Sequence, residues 1–92
     1  MRVEDVEIYS DQTNNAILRH PGRRFPGVLV QGDDLYSMCK AADRICTNGR
    51  EALDDEAYQE LNRLRNGLWK RLVHYKDVLR SHDIPLPFSE TP

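Results

Sequence analysis

Residues 54–81 read DDEAYQELNRLRNGLWKRLVHYKDVLRS, and no proline interrupts them. Leu61, Leu64, Leu68, Leu72, Tyr75 and Leu79 recur at spacings of three and four, which is the period of one face of an α-helix. Gln59, Arg63, Asn66, Lys70 and Asp77 fall opposite. Asp54 is a good N-cap, Asp55 and Glu56 suit the positive end of the helix dipole, and Leu53 with Tyr58 fits a hydrophobic staple. A helix over 54–82 is therefore expected, roughly 40 Å long at 1.5 Å per residue.

On its N-terminal side the same period begins at Gly32. Asp33 or Asp34 can cap a helix over 33–48, in which Leu35, Met38, Ala42 and Ile45 form the apolar stripe and Cys39 and Cys46 border it. Asn48-Gly49 closes this helix, with the glycine expected in the left-handed C′ conformation. Further upstream the helical period disappears. In Val3 to Tyr9, Val6 and Ile8 point to one face and Glu7 and Tyr9 to the other. Ser10 to Asn15 is a polar turn or loop, Ala16 to His20 a second short strand, and Gly27 to Gln31 a third. No crossover helix separates them, so an antiparallel meander is favoured. Beyond the long helix, Ile84-Pro85-Leu86-Pro87-Phe88 alternates prolines and must be extended, giving a tail over 83–92. The expected fold is α+β: a three-stranded antiparallel sheet within 3–31, then two helices, the second long, amphipathic and packed on the sheet.

Ninety-two residues suffice for a single domain with a thin core. The mean hydropathy of −0.69 confines the apolar residues to few faces. A formal net charge of −2 gives no global attraction to nucleic acid or to an anionic membrane. No run approaches the roughly 18 apolar residues of a membrane span, and the acids Glu4 and Asp5 do not suit a signal peptide. Cys39 and Cys46, seven residues apart on one helix, lie about 10 Å apart along its axis and cannot pair. A reducing cytoplasm is the simplest location.

Two surfaces stand out as candidate sites. On the long helix, Trp69 and Val73 form an i, i+4 pair to one side of the leucine stripe. The first helix or the tail is expected to cover them; the alternative is an interface with a second copy or another protein. Gly67, mid-helix, either admits a neighbouring backbone or is a tolerated weak spot. Leu86 and Phe88 either fold back onto the domain or dock in a partner. The second surface is the loop following the second strand, where Arg19, His20, Arg23 and Arg24 gather near Phe25. Their guanidinium forks suit phosphate or carboxylate, whereas the plainer expectation is pairing with Glu4, Asp5 and Glu7 on the neighbouring strand. The loop lacks both GxxxxGK[ST] and GxGxxG.

Catalysis has little support. His20, His74 and His82 are scattered without metal-ligand spacing, the cysteines form no CxxC, Cys39 near Asp43 has no evident activating base, and Asp33-Asp34 is explained by capping. No metal or cofactor is expected.

The run HPGRRFPGVLVQGD, His20 to Asp33, followed by a helix, resembles a segment of a family of small uncharacterised bacterial proteins. The resemblance spans Val3 to Pro87. It implies a bacterial source and a stand-alone protein of this size, and it carries no catalytic or binding residues onto these positions. The functional expectation is a non-catalytic protein-interaction module, inhibitor- or immunity-like or phage-related by analogy of size and composition, acting on another protein or as a homodimer. The alternatives are an anion- or nucleic-acid-binding module using the arginine loop, and a small enzyme or enzyme subunit.

Overall fold

The alternation in the first thirty residues folds as three short strands, β1 (Glu7–Ser10), β2 (Ile17–Arg19) and β3 (Gly27–Val28), joined as an antiparallel sheet in the order β1-β2-β3. The computed structural model describes residues 1–90. The chain falls into two compact units, one of residues 1–31 and one beginning at Gly32. The strands are shorter than the apolar runs that predict them. Glu7 pairs with Arg19 and Ile8 with Leu18, then a bulge at Tyr9 shifts the register so that Ser10 meets Ile17. Ile17 in turn faces Val28, and the Leu29 amide donates to the Ala16 carbonyl at 2.8 Å.

Directly opposed residues share a face in an antiparallel pair. One face therefore carries the Glu7–Arg19 ion pair with Ile17 and Val28. The other carries Ile8 and Leu18, and alternation adds Leu29 to it. Between β2 and β3, Pro21-Gly22 turns the chain, with Gly22 at φ +82 and the Arg23 amide donating to the His20 carbonyl.

The second unit is a helical hairpin: α1 (Gly32–Asn48), a single 3-10 turn at Arg50–Ala52, and α2 (Asp55–Ser81). Both helices lie within a residue of their expected bounds. Asp54 caps α2 as its sequence implies, accepting from the Ala57 amide at 2.7 Å. At the other end His82 is the C-cap and Asp83 adopts φ 56. The Ile84 and Asp83 amides return to the Leu79 and Arg80 carbonyls, the paired bonds of a Schellman ending, with aspartate in the left-handed position usually taken by glycine.

The apolar stripe of α1 is displaced from its expected course. Leu35, Cys39, Ala42 and Cys46 are buried, whereas Met38 and Ile45 are 41% and 53% exposed. Both sets have helical spacing. The small thiols and the alanine are the ones that let α1 lie close against α2, so they take the interior. On α2, Leu61, Arg65, Leu68, Leu72, Tyr75 and Leu79, at alternating spacings of four and three, are buried or half-buried. Leu64, expected in the stripe, is 60% exposed, and Arg65 stands in the seam instead. Leu72 and Cys39 are fully buried and form the core with Leu35; Tyr36, Leu68, Trp69, Tyr75 and Phe88 pack around it.

Three glycines bear on the packing of the helical unit, and Gly49 departs from its expected conformation. Gly49 is not left-handed: its φ is −99, and a Cβ there would lie 2.8 Å from the Ile45 carbonyl, so a close approach rather than backbone handedness favours glycine. Gly32 is buried against Tyr75, whose ring would be 2.2 Å from an added Cβ. Gly67 admits no neighbouring backbone; only the Arg71 guanidinium comes near, at 3.3 Å. Gly67→Ala is accordingly expected to stabilise the protein by about 1 kcal/mol, because the mobile end of Arg71 can yield and alanine favours the helix. Thermal denaturation of the variant, with a raised Tm as the expected result, checks this.

Candidate functional site

Asp43 is the polar centre of the hairpin. It projects from α1 toward α2, where Arg65 and Trp69 stand one turn apart on the same face. The Arg65 Nε–H donates to Asp43 Oδ1 at 2.5 Å, and the Trp69 indole N–H donates to the same oxygen at 2.9 Å. Burial pushes the Asp43 carboxyl up, but the two N–H donors and the positive charges of Arg65 and Lys40 outweigh it and hold the group below the usual carboxylate range. Its hydrogen bond and charge raise the Arg65 guanidinium in return. Burial, with the Asp43 charge adding to it, pushes the thiol of the fully buried Cys39 up.

A pH dependence follows. Because the folded carboxyl titrates below its unfolded value near 3.9, the stability it contributes is present above about pH 4 and is lost as pH falls through the folded value. Asp43→Asn should therefore lower stability at neutral pH and flatten the acid limb of the stability profile. Urea denaturation of both proteins at several pH values between neutral and acid measures it.

Trp69, a candidate for an external interface, is thus half-buried in the contact between the two helices. Val73, its partner in the sequence reading, is 48% exposed. Leu86 and Phe88 are both half-buried, and the tail turns back so that Phe88 stacks on Tyr36, with ring centroids 4.2 Å apart and planes 6° apart. The Tyr36 hydroxyl donates to the Ser89 carbonyl at 3.1 Å, and Lys76 pairs with Glu90. Thr91 and Pro92 of the expected tail lie outside the described residues.

The arginine loop is dispersed. Arg19 pairs with Glu7, as the plainer expectation had it, while Glu4 pairs with Arg2. The Arg24 guanidinium lies over the Phe25 ring at 5.2 Å, and His20 Nδ1 is 2.8 Å from the Pro21 carbonyl. Arg23 helps line a shallow hollow of about 180 Å³ with Leu18, Phe25 and Leu29. Arg19, His20, Arg23 and Arg24 thus each make separate contacts. Asp33 and Asp34 occupy the first turn of α1, where they favour its dipole, and the Asp34 amide donates to the Asp33 carboxylate. His74 and His82 are exposed, and both cysteines are free. Among the described residues no group of three His, Cys, Asp or Glu side chains could hold a metal ion. No helix among them is long and apolar enough to cross a membrane.

The sheet supplies a feature that periodicity did not reveal. Among the described residues of the first unit none is buried, and Val6, Ile8, Phe25, Val28, Leu29 and Val30 are 39%, 60%, 71%, 60%, 47% and 39% exposed. Its apolar face carries Ile8 and Leu29, both exposed, and Leu18, which is half-buried, and β1 and β3 are both edges of the sheet. The signal in the sequence is the high apolar content of segments too short to enclose a core.

The chain matches, over residues 1–88, the model of a family of unknown function (DUF6959), and it belongs to that family. No curated protein and no solved structure matches it.

Proposed function

We propose that this member of a family of unknown function is a non-catalytic protein-interaction module that docks its partner on the apolar face of the N-terminal sheet. The observation that carries the reading is the exposure of that face: a sheet of three short strands with no buried side chain lacks the apolar burial that stabilises such elements. Exposed apolar surface of this kind marks contacts. The neutral charge balance of residues 1–31, four arginines against Glu4, Asp5, Glu7 and Asp11, suits a protein surface better than a polyanion. The partner is another protein or a second copy of the chain. An inhibitor- or immunity-like role is one form of this reading.

Sedimentation of the free protein, followed by affinity capture from its native host, tests it with Ile8→Lys and Leu29→Lys as the discriminating variants. Both positions are exposed, so the fold should survive. Self-association or specific capture that both substitutions abolish supports the reading. A strictly monomeric chain without a specific partner contradicts it, as does binding indifferent to both changes.

A further inference from the structure

A cleft of about 570 Å³ opens in the helical unit where α1 gives way to the 3-10 turn and the first turns of α2, lined by Asp43, Thr47, Arg50, Tyr58, Asn62 and Arg65. We propose that this cleft binds a small polar molecule through an oxyanion group, a phosphate or a carboxylate, held between Arg50 and Arg65. This site is distinct from the sheet surface and from the Arg19–Arg24 loop.

Two guanidinium groups line one cleft, and each is fixed by contacts that leave donors unused. Arg65 is oriented through its Nε–H by Asp43 and through Nη1 by Asn66 at 3.4 Å, so its Nη2 edge remains available. Arg50 lies over the Tyr58 ring at 4.3 Å, a stacking that holds the plane of its fork. Its other contacts are a 2.9 Å pair with Asp55, whose side chain is 86% exposed, and a 3.4 Å bond to the Leu53 carbonyl. An exposed pair of that kind contributes little and is readily exchanged for a bound anion. Asp43 is the one carboxylate that lines the cleft beside the two arginines, and Asp55, the partner of Arg50, lies outside the lining. The Thr47 and Tyr58 hydroxyls add neutral donors, and Asn62, whose Nδ2 donates to the Tyr58 carbonyl, keeps its amide oxygen free. A volume in the range of ligand pockets, with this polar lining, suits a small polar molecule carrying the anion rather than an apolar one.

Titration of the full chain with inorganic phosphate and, separately, with acetate, followed by ¹H–¹⁵N NMR, tests the site. The Arg50 and Arg65 Nε–H and Asn62 side-chain signals should shift saturably, and the fluorescence of Trp69, which shares Asp43 with Arg65, should change in parallel. Tighter binding of one probe assigns the oxyanion class. Arg50→Gln, an exposed change whose fold is verified by its amide spectrum, should weaken binding at least roughly tenfold, the worth of a lost charge-assisted contact. Arg23→Gln in the loop should leave binding unchanged. No saturable shift with either probe, equal binding by Arg50→Gln, or shifts confined to Lys70, Arg71 and His74 would overturn the proposal.

Discussion

Leu72→Ala should cost about 3 kcal/mol, within the range of leucine truncations at fully enclosed sites. Leu72 is wholly buried and touches the two other core residues, Leu35 and Cys39. In so small a core no second layer can collapse into the space left behind. For a protein of this size such a loss is a large fraction of total stability. Urea denaturation is expected to show a much lower midpoint, with the far-UV helical signal retained at low denaturant. Leu64→Ala, at a 60% exposed position of the same helix, should change the midpoint little. Equal effects at the two positions would contradict the assignment of the buried seam.

The other large effect is at Gly32. An alanine methyl there would sit 2.2 Å from the Tyr75 ring, closer than any real contact, so either the start of α1 or the ring must move. Overpacking of this kind costs about 1–3 kcal/mol, occasionally more. The clash also predicts a rescue. In Tyr75→Leu the ring is gone, and adding Gly32→Ala to that background should cost much less than it does in the native protein. A double-mutant cycle on the two positions measures the coupling. Additive effects would mean that the two residues do not meet.

These two sites show what the sequence discloses and what it withholds. The leucine period of residues 61–79 and the Asp54 cap announce α2 almost to the residue, because both signals are local. The β-branched runs and the Pro-Gly loops announce three strands for the same reason. The interior stripe of α1 is a different matter. Leu35-Met38-Ala42-Ile45 and Leu35-Cys39-Ala42-Cys46 are equally helical, and hydrophobicity favours the first. Close packing on α2 selects the second, since Cys39, Ala42 and Cys46 are small. The same kind of tertiary decision turns Trp69 inward, where its indole N–H finds Asp43, twenty-six positions earlier in the chain. Nothing in the spacing of either residue announces that bond. Gly32 and Gly49 both read as boundary glycines, yet each is required by a neighbour a Cβ would strike, Tyr75 in one case and the Ile45 carbonyl in the other.

The candidate surfaces divide along the same line. Arg19 and Glu7 are opposed on adjacent strands, so their pairing is legible once the hairpin is drawn. The cleft between Arg50 and Arg65 is not, because it depends on a 3-10 turn and on a cation lying over Tyr58, neither of which has a sequence period. The exposed sheet face lies between these cases. Its alternation of Val6 and Ile8 with Glu7 is visible in the sequence, but the absence of any buried residue around it emerges only in three dimensions.

Site-specific photo-crosslinking in the native host tests docking on the exposed apolar residues of the sheet most directly. A benzophenone amino acid would be placed in turn at Ile8, Phe25 and Leu29 in the sheet unit, and at Gln59 and Lys70 on the exposed side of α2. A discrete protein adduct, heterologous or a crosslinked dimer, is expected from the sheet positions and none from the two helix positions. Adducts formed only from α2, or none from any sheet position, would contradict it.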